Sequence, residues 1–251
     1  MSLRTEYESF IGAVRFFTRL PVPGRDAHSP VALERAIRYF PAVGLLVGAV
    51  AALAFVLVSA LWPKTLAVLA AIIIATLLTG ALHEDGWSDT VDGFGGGWGK
   101  ERILAIMRDS CIGSFGAVAL VLLVLTRFCA LLEINAWQLP CALIAGHALS
   151  RLCATFVLSR LDYARPDGKA KAFGNRLSSS ELGGATLCAL IPLFFLPVQQ
   201  AIPGVILALL ATGWLMRLFK REIGGYTGDT LGATQQLSEV AFYCGLVCRF
   251  S

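Results

Sequence analysis

The fold is decided at one junction, where TLAVLAAIIIATLLTGAL (65–82) runs directly into HEDGWSDTVDGFGGGWGKERILAIMRDSCIGSFG (83–116). The first run is apolar throughout and has roughly the length that a helix needs to cross the ~30 Å hydrocarbon core of a bilayer. The second run is the longest polar stretch between two strongly apolar ones, and it combines acidic residues, a histidine and several glycines. The junction predicts a membrane-spanning helix that leads into a polar, acidic, glycine-rich catalytic loop at 83–112.

Three carboxylates in the polar run are spaced for metal binding. Asp85, Asp89 and Asp92 stand at i, i+4 and i+7, so in a helix they fall within about 60° of one another on one face. Three like charges on one stripe repel unless a cation lies among them, and Mg²⁺ takes such oxygen ligands together with substrate phosphates. A solvated acidic loop is the alternative interpretation, but the interspersed glycines favour close backbone approach to a ligand.

The composition places the whole chain in a membrane. Of its 251 residues 56% are hydrophobic and only 15% are charged, whereas a soluble domain has about 25% charged residues. Mean hydropathy is +0.70. We therefore predict one all-α integral membrane domain over 1–251, a polytopic helix bundle of about six to seven spans. No basic block, RNA-binding motif or finger spacing is present, which argues against nucleic acid as a partner.

The apolar segments give the order of the spans. Residues 1–40 are mixed and predict a cytoplasmic or interfacial segment with two short helices, one near 10–18 and one at about 30–40. The glycines at 44 and 48 indicate a close-packing face on the first span. A last apolar piece, 239–250, extends back through LGATQQLSE into one amphipathic, partly inserted helix. The predicted spans are 41–62, 65–82, 113–134, 139–159, 182–198 and 201–219.

Basic residues indicate the orientation. They occur in the N-terminal segment and in the loops at 100–108, 160–176 and 217–221, whereas the corners at 135–138 and 200 have none. Lysine and arginine favour the cytoplasmic side of a membrane. The alternation therefore predicts that the N-terminus and every polar loop, with the active-site face, lie in the cytoplasm.

Two further groups of residues extend the candidate site. After the acidic stripe, Arg102 and Arg108 are candidates for phosphate contacts and Asp109 for a fourth carboxylate, although arginine snorkelling at the interface is an alternative. The stretch GGYTGDTLG (224–232) offers Thr227, Asp229 and Thr230 at the mouth of the bundle. Successive backbone N–H groups there form an anion-binding nest or a structural turn.

Ionisable side chains also lie inside the predicted spans, where they are destabilising and usually face a cavity or a partner. His147 and Arg151 stand one helical turn apart, and Arg127 lies on the preceding span. Substrate contact and a structural arginine–carboxylate pair both fit them. Asn175, in the loop after the fourth span, is placed to close over the site.

Taken together and in order, these pieces resemble the cobalamin synthase (adenosylcobinamide-GDP ribazoletransferase) family over nearly the whole length. The family usually has leucine-alanine where this chain has Trp87-Ser88, and arginine where it has Cys111. The matching pieces are TRLPVP (18–23), the entry to the first span (40–44), HEDGWSDTVDG (83–93), RDS (108–110), Ile112-Gly113, Ser150-Arg151, Gly174-Asn175, GDTLGA (228–233), Gln236-Leu237 and Glu239.

The resemblance implies an activity. Such an enzyme joins adenosylcobinamide-GDP with α-ribazole, or its 5′-phosphate, and releases GMP. It needs Mg²⁺ and is a multi-pass protein of the bacterial cytoplasmic (inner) membrane. The expected macromolecular partners are a second copy of the chain, in a homo-oligomer, or other late cobalamin-pathway enzymes. Metal held by the aspartate stripe would then meet the substrate pyrophosphate, and a carboxylate or His83 would take the proton of the ribose hydroxyl. Arg102, Arg108 and Arg151 are the expected phosphate contacts.

Three other functions are weighed against this one. A secondary transporter predicts acids near the middle of spans and broken helices in corresponding positions, whereas here the acids cluster in one polar segment. Another membrane phosphotransferase acting on nucleotide-activated alcohols would also use an aspartate stripe, but its usual Asp-Gly-x-x-Ala-Arg start is not present. A non-catalytic scaffold needs no such stripe.

Overall fold

The computed structural model describes residues 3–22, 36–166 and 177–249, and this part of the chain is almost entirely helical. One isolated bridge, between Tyr163 and Tyr226, is the only β pairing recorded within those ranges. The described residues also include two 3₁₀ segments, Ile37–Tyr39 directly before an α-helix and Ile191–Phe195 directly after one. The α-helices are α1 Leu3–Phe17, α2 Phe40–Ser59, α3 Lys64–Thr79, α4 Leu82–Gly96, α5 Lys100–Ile106, α6 Ser114–Glu133, α7 Leu139–Arg160, α8 Ser179–Leu190, α9 Val198–Ile223 and α10 Gly228–Leu246.

Within the described ranges, four helices are long and apolar enough to cross a membrane: α2, with the 3₁₀ segment before it, α6, α7 and α9. The pair α3–α4 passes the same test only when taken together, which brings the count to five. Helix α8, continued to Phe195, is a shorter apolar helix at the predicted fifth span. These elements confirm the all-α membrane bundle, and the count roughly fits the six to seven spans predicted.

The polar run after α3 is helical and turns sharply. Helices α3 and α4 are bent by 86° at a break formed by Gly80 and Ala81, both of which have left-handed backbone conformations. Helix α3 packs alongside the membrane-spanning helices of the bundle. Because α4 is nearly perpendicular to α3, it runs along one end of that bundle. The catalytic loop predicted at 83–112 therefore consists mainly of two helices, α4 and α5.

Helix α10 lies at the centre of the bundle. It packs against α4, α6, α7 and α9 and is buried on nearly every side. Its first residues line a cavity with Phe17, whereas the chain just after it lines another with Asn135 and Gln200, at the α6–α7 and α8–α9 corners. Helix α10 thus runs from the end that carries α4 to the opposite end. This confirms one continuous C-terminal helix and shows it enclosed rather than partly inserted.

Small residues determine how closely α2 and α7 approach. A Cβ at Gly48 would lie 2.6 Å from the Cα of Ile144, and one at Gly44 would overlap the His147 carbonyl. Any side chain at these positions would push the helices apart. The predicted close-packing face at Gly44 and Gly48 is confirmed.

Helix α1 is attached to the same end of the bundle as α4. Its Phe17 ring packs edge-on against Phe40 at 4.1 Å, and Arg38 bridges Glu6 of α1 and Glu181 of α8. The helix predicted near 10–18 is present and begins earlier. The helix predicted at about 30–40 falls largely outside the described residues, and its end is the 3₁₀ segment Ile37–Tyr39.

Candidate active site

Two glycines bring α4 and α10 into contact. A Cβ on Gly86 would lie 2.8 Å from the carbonyl oxygen of Asp229, and one on Gly232 would lie 3.3 Å from the Cα of His83. Because neither residue has a side chain, the backbones pack directly against each other. The first turn of α10 therefore places Asp229 beside Asp85 and Asp89 of α4.

Asp85, Asp89 and Asp229 form an acidic cluster whose negative charge is only partly neutralised. Asp85 is exposed, and Asp89 and Asp229 are partly buried. Burial, together with the negative charges of Asp85, Asp229 and Asp92, raises the pKa of the Asp89 carboxyl to about 7, and Arg165 opposes the rise only in part. The cluster therefore carries more negative charge than the nearby arginines balance.

The donor set suits a hard cation whose coordination a ligand completes. Within the described ranges no three His, Cys, Asp or Glu side chains are grouped closely enough to hold a metal ion by themselves. Mg²⁺, however, is commonly bound through one or two carboxylates plus substrate phosphates. Asp85, Asp89 and Asp229 offer such oxygens, so these residues fit Mg²⁺ shared with a phosphorylated ligand.

Asp92 has a different environment from its neighbours on the stripe. Its two carboxylate oxygens accept hydrogen bonds from the backbone N–H groups of Gly113, at 2.7 Å, and Gly116, at 2.8 Å. These groups begin α6, where a negative charge also interacts favourably with the helix dipole. Asp92 is buried and joins α4 to α6, and its predicted role as a metal ligand stays a prediction.

A cavity of about 260 Å³ opens between α1, α4, α7 and α10. Its lining is divided into an apolar and a polar part. The apolar part is Phe16, Phe17, Phe40, Leu82, Ala154, Tyr163 and Leu231, and the polar part is His83, Asp85, Arg151, Arg165, Asp229 and Gln235. Phe17 stacks on His83 with ring centroids 6.0 Å apart, so the two parts meet at this pair.

Arg165 is the main cavity residue that the sequence analysis did not select. Its Nη2 donates to the Asp229 carboxylate at 2.7 Å. A backbone bridge fixes its segment: Ala164 N–H donates to the Tyr226 carbonyl at 2.8 Å, and Tyr226 N–H to Asp162 at 2.9 Å. In the sequence Arg165 is only one basic residue among several in a loop, and nothing local indicates this long-range pairing.

Arg151 and His147 face the same way, as predicted. Arg151 is 2% exposed, donates to the His147 carbonyl at 3.0 Å and lines the cavity. Its Nε has no hydrogen-bond partner within the described part of the chain. A buried guanidinium on a cavity wall is suited to an anionic ligand.

Deeper in the bundle lies a buried polar network, defined here as Glu84, Arg127, His147, Ser150, Gln235, Gln236 and Glu239. Glu239 accepts from Gln235 at 2.6 Å and lies 2.9 Å from His147 Nδ1. Arg127 lies 3.6 Å from both Glu84 and Glu239 and also bonds to Gln236. Of the two interpretations of Arg127, the structural arginine–carboxylate pair is the one observed.

Among the described residues, Asp89, Asp92 and the remaining predicted site residues do not line the cavity. Arg102, Arg108 and Asp109 are exposed on or after α5. Thr227 and Thr230 are fully buried and cap α10 reciprocally, each hydroxyl accepting from the other's backbone N–H, so they position Asp229. Asn175 lies outside the described residues. The roles predicted for all of these stay predictions.

Comparisons with known proteins identify the family of the chain. Residues 9–247 match the family described as Cobalamin-5-phosphate synthase. A protein of Shewanella amazonensis is 41% identical over 256 residues, covering 100% of this chain and 98% of its own. One of Ralstonia pickettii is 41% identical over 255 residues, covering 100% and 99%. Both are named adenosylcobinamide-GDP ribazoletransferase.

A search of solved structures found no match. The family match spans nearly the whole chain, and the relatives align from end to end. The resemblance inferred from the sequence is thereby confirmed, and the protein belongs to the cobalamin-5-phosphate synthase family of transferases.

Proposed function

We propose that this chain joins adenosylcobinamide-GDP with α-ribazole, or its 5′-phosphate, in a Mg²⁺-dependent transfer that releases GMP. The observation that carries the proposal is the acidic cluster of Asp85, Asp89 and Asp229 beside a cavity that also holds two arginines. Carboxylates for a cation and guanidinium groups for phosphate are the two requirements of phosphoryl transfer. The relatives' names supply the substrates.

The acidic cluster would hold the cation through Asp85, Asp89 and Asp229, with Asp92 as the further candidate from the stripe. When bound, Mg²⁺ supplies charge neutralisation at the pyrophosphate. Asp92 also anchors α4 to the start of α6 through two backbone hydrogen bonds. This attachment keeps the two cluster residues of α4 in a fixed position relative to α6, against which α10 also packs.

Arg151 and Arg165 would bind phosphate oxygens from the cavity wall. Each has a buried Nε without a protein acceptor among the described residues. Charge-assisted hydrogen bonds of this kind are shorter and stronger than neutral ones. Arg102 and Arg108 are exposed, and their proposed contribution is a favourable field that attracts the anionic substrate.

The apolar and polar parts of the cavity lining would bind different parts of the substrate. At about 260 Å³ the cavity lies just under the ~300–1,000 Å³ of pockets for drug-sized ligands. It suits a nucleoside, whereas a corrinoid macrocycle is far larger. The base of the ribazole would lie against Phe16, Phe17 and Phe40, with its ribose hydroxyl toward the acidic cluster. There His83 or a carboxylate would accept the proton.

We place the active-site end in the cytoplasm of a bacterium, at its inner membrane. The support is the distribution of basic residues in the loops that join the bundle at this end. We also propose that the chain associates with a second copy of itself or with other late cobalamin-pathway enzymes. Cross-linking in native membranes would test this association.

The test is GMP release by the purified protein in detergent or liposomes, given both substrates, with and without Mg²⁺. Metal-dependent GMP formed in step with the cobalamin product is expected. If the folded protein leaves intact substrates unchanged but acts on CDP-activated alcohols, the activity is that of the alternative transferase.

A further inference from the structure

The salt bridge between Arg165 and Asp229 joins the two charged parts of the cavity. Asp229 belongs to the acidic cluster, and Arg165 to the pair of arginines on the wall. One oxygen of Asp229 accepts both from Arg165, at 2.7 Å, and from Thr227 Oγ1, at 3.5 Å. A guanidinium and a divalent cation cannot both take that oxygen at full strength, because their like charges would repel.

Arg165 also has an incomplete set of acceptors. Its side chain is only 12% exposed and its Nε is buried, yet no acceptor for the Nε is found within the described part of the chain. A buried donor without an acceptor is destabilising. Within that part of the chain Arg165 is therefore incompletely hydrogen-bonded, and an oxygen-rich ligand in the cavity would supply a further acceptor.

The backbone of this segment is fixed, and the Arg165 side chain lines the cavity. Ala164 and Asp162 are hydrogen-bonded to Tyr226, immediately before α10, and Gly225 lies against the Asp162 carbonyl with no space for a side chain. This bridge keeps the Cα of Arg165 beside the first turn of α10. The guanidinium can therefore leave Asp229 by rotation of the side chain into the cavity.

We propose that Arg165 is an exchangeable counter-charge, which competes with a divalent cation for Asp229 and turns to the phosphate oxygens of the nucleotide substrate once the cation holds that carboxylate. This inference rests on the proposed function. Arg151 is a second buried arginine on the same cavity, 2% exposed, and its Nε also has no partner among the described residues.

The two proposed roles of Arg165 predict opposite effects of one substitution: Mn²⁺ should bind more tightly, and adenosylcobinamide-GDP more weakly. Removing the guanidinium frees Asp229, so Arg165→Ala should bind Mn²⁺ roughly fivefold more tightly in the absence of substrate. The same change removes a charge-assisted contact, so the KM for adenosylcobinamide-GDP should rise roughly tenfold. The KM for α-ribazole should stay unchanged. A purely structural residue would weaken both interactions together.

The experiment measures Mn²⁺ affinity of the full-length protein in detergent, by electron paramagnetic resonance of free Mn²⁺, and steady-state GMP release with Mg²⁺. Arg165→Gln removes the charge but keeps most of the length, and should behave like Arg165→Ala. Arg165→Lys, which keeps the positive charge, should bring both the Mn²⁺ affinity and the KM for adenosylcobinamide-GDP part of the way back to their wild-type values. Arg160→Ala is the matched control, because Arg160 is an exposed arginine five residues earlier whose guanidinium lies 5.0 Å from the Phe156 ring centroid.

Unchanged or weaker Mn²⁺ binding by both charge-removing variants overturns the competition. Tighter Mn²⁺ binding with an unchanged nucleotide KM overturns the transfer of Arg165 to phosphate. If the wild-type protein releases no GMP, the proposed function fails, and the Mn²⁺ comparison still decides whether Arg165 competes with a cation.

Discussion

The acidic cluster and the buried polar network differ in how their charges are compensated. In the network, Glu84 and Glu239 face Arg127 and His147 at hydrogen-bond or ion-pair distance. In the cluster, several aspartates share chiefly one salt bridge, from Arg165 to Asp229. Buried charges that balance one another are destabilising when one partner is removed, whereas uncompensated charge beside a cavity is available for a ligand.

The largest effect is expected at the cluster. Asp89→Asn should reduce GMP formation by roughly 10³-fold, the size of losing one preorganised electrostatic contact to a transition state. Its folded stability should not fall, because the substitution relieves repulsion among the aspartates. The assay is steady-state GMP release, with the exposed Glu101→Gln of α5 as the control. Full activity and unchanged Mg²⁺ dependence in Asp89→Asn would contradict the assignment.

The network should respond in stability instead. Glu239→Ala leaves His147 buried without its carboxylate and leaves Arg127 with Glu84 alone, so the free energy of unfolding should fall by about 3–5 kcal/mol. Unfolding in mixed micelles measures this loss. Glu133→Ala, at an exposed position paired weakly with Arg249, should leave the unfolding free energy unchanged. Equal stabilities of the two variants would mean that the network contributes nothing to the fold.

Asp92 combines features of the two regions. It lies on the aspartate stripe, yet its carboxylate is already satisfied by hydrogen bonds to the start of α6. Asp92→Ala should lower stability by about 1–2 kcal/mol through the lost cap and reduce Mn²⁺ affinity less than Asp89→Asn does. Thermal unfolding and Mn²⁺ binding on the same samples check this. A complete loss of Mn²⁺ binding at wild-type stability would instead favour its role as a metal ligand.

The sequence predicted the helices well because a bilayer imposes a strong pattern. Apolar length located α2, α3, α6, α7 and α9 to within a few residues. The i, i+4 spacing identified Asp85 and Asp89, since both lie on one helix. Local spacing determines such features, so they can be read directly from the chain.

Contacts between distant segments could not be predicted in the same way. Arg165 reaches Asp229 only because Tyr226 pairs with the chain after α7, and Asp92 faces α6 only because Gly113 and Gly116 leave room for it. Nor does periodicity reveal that Glu239 is enclosed by neighbours on every side. Each of these placements depends on tertiary packing.

The smallest effect is expected outside both regions. Arg102 is exposed and does not line the cavity, so Arg102→Ala should raise the KM for adenosylcobinamide-GDP by roughly two- to threefold at low salt. Because exposed charges are screened beyond about 10 Å at 0.1 M salt, the difference should disappear at high ionic strength. A large, salt-independent increase would show direct contact with phosphate.

The central claim is that the acidic cluster is a cation site completed by the phosphates of the substrate. The most direct measurement is the Mn²⁺ affinity of the wild-type protein and of Asp89→Asn, each with and without adenosylcobinamide-GDP. We predict that the nucleotide tightens Mn²⁺ binding in the wild-type protein and that Asp89→Asn abolishes most of this coupling. Equal Mn²⁺ affinity in all four samples would contradict the claim.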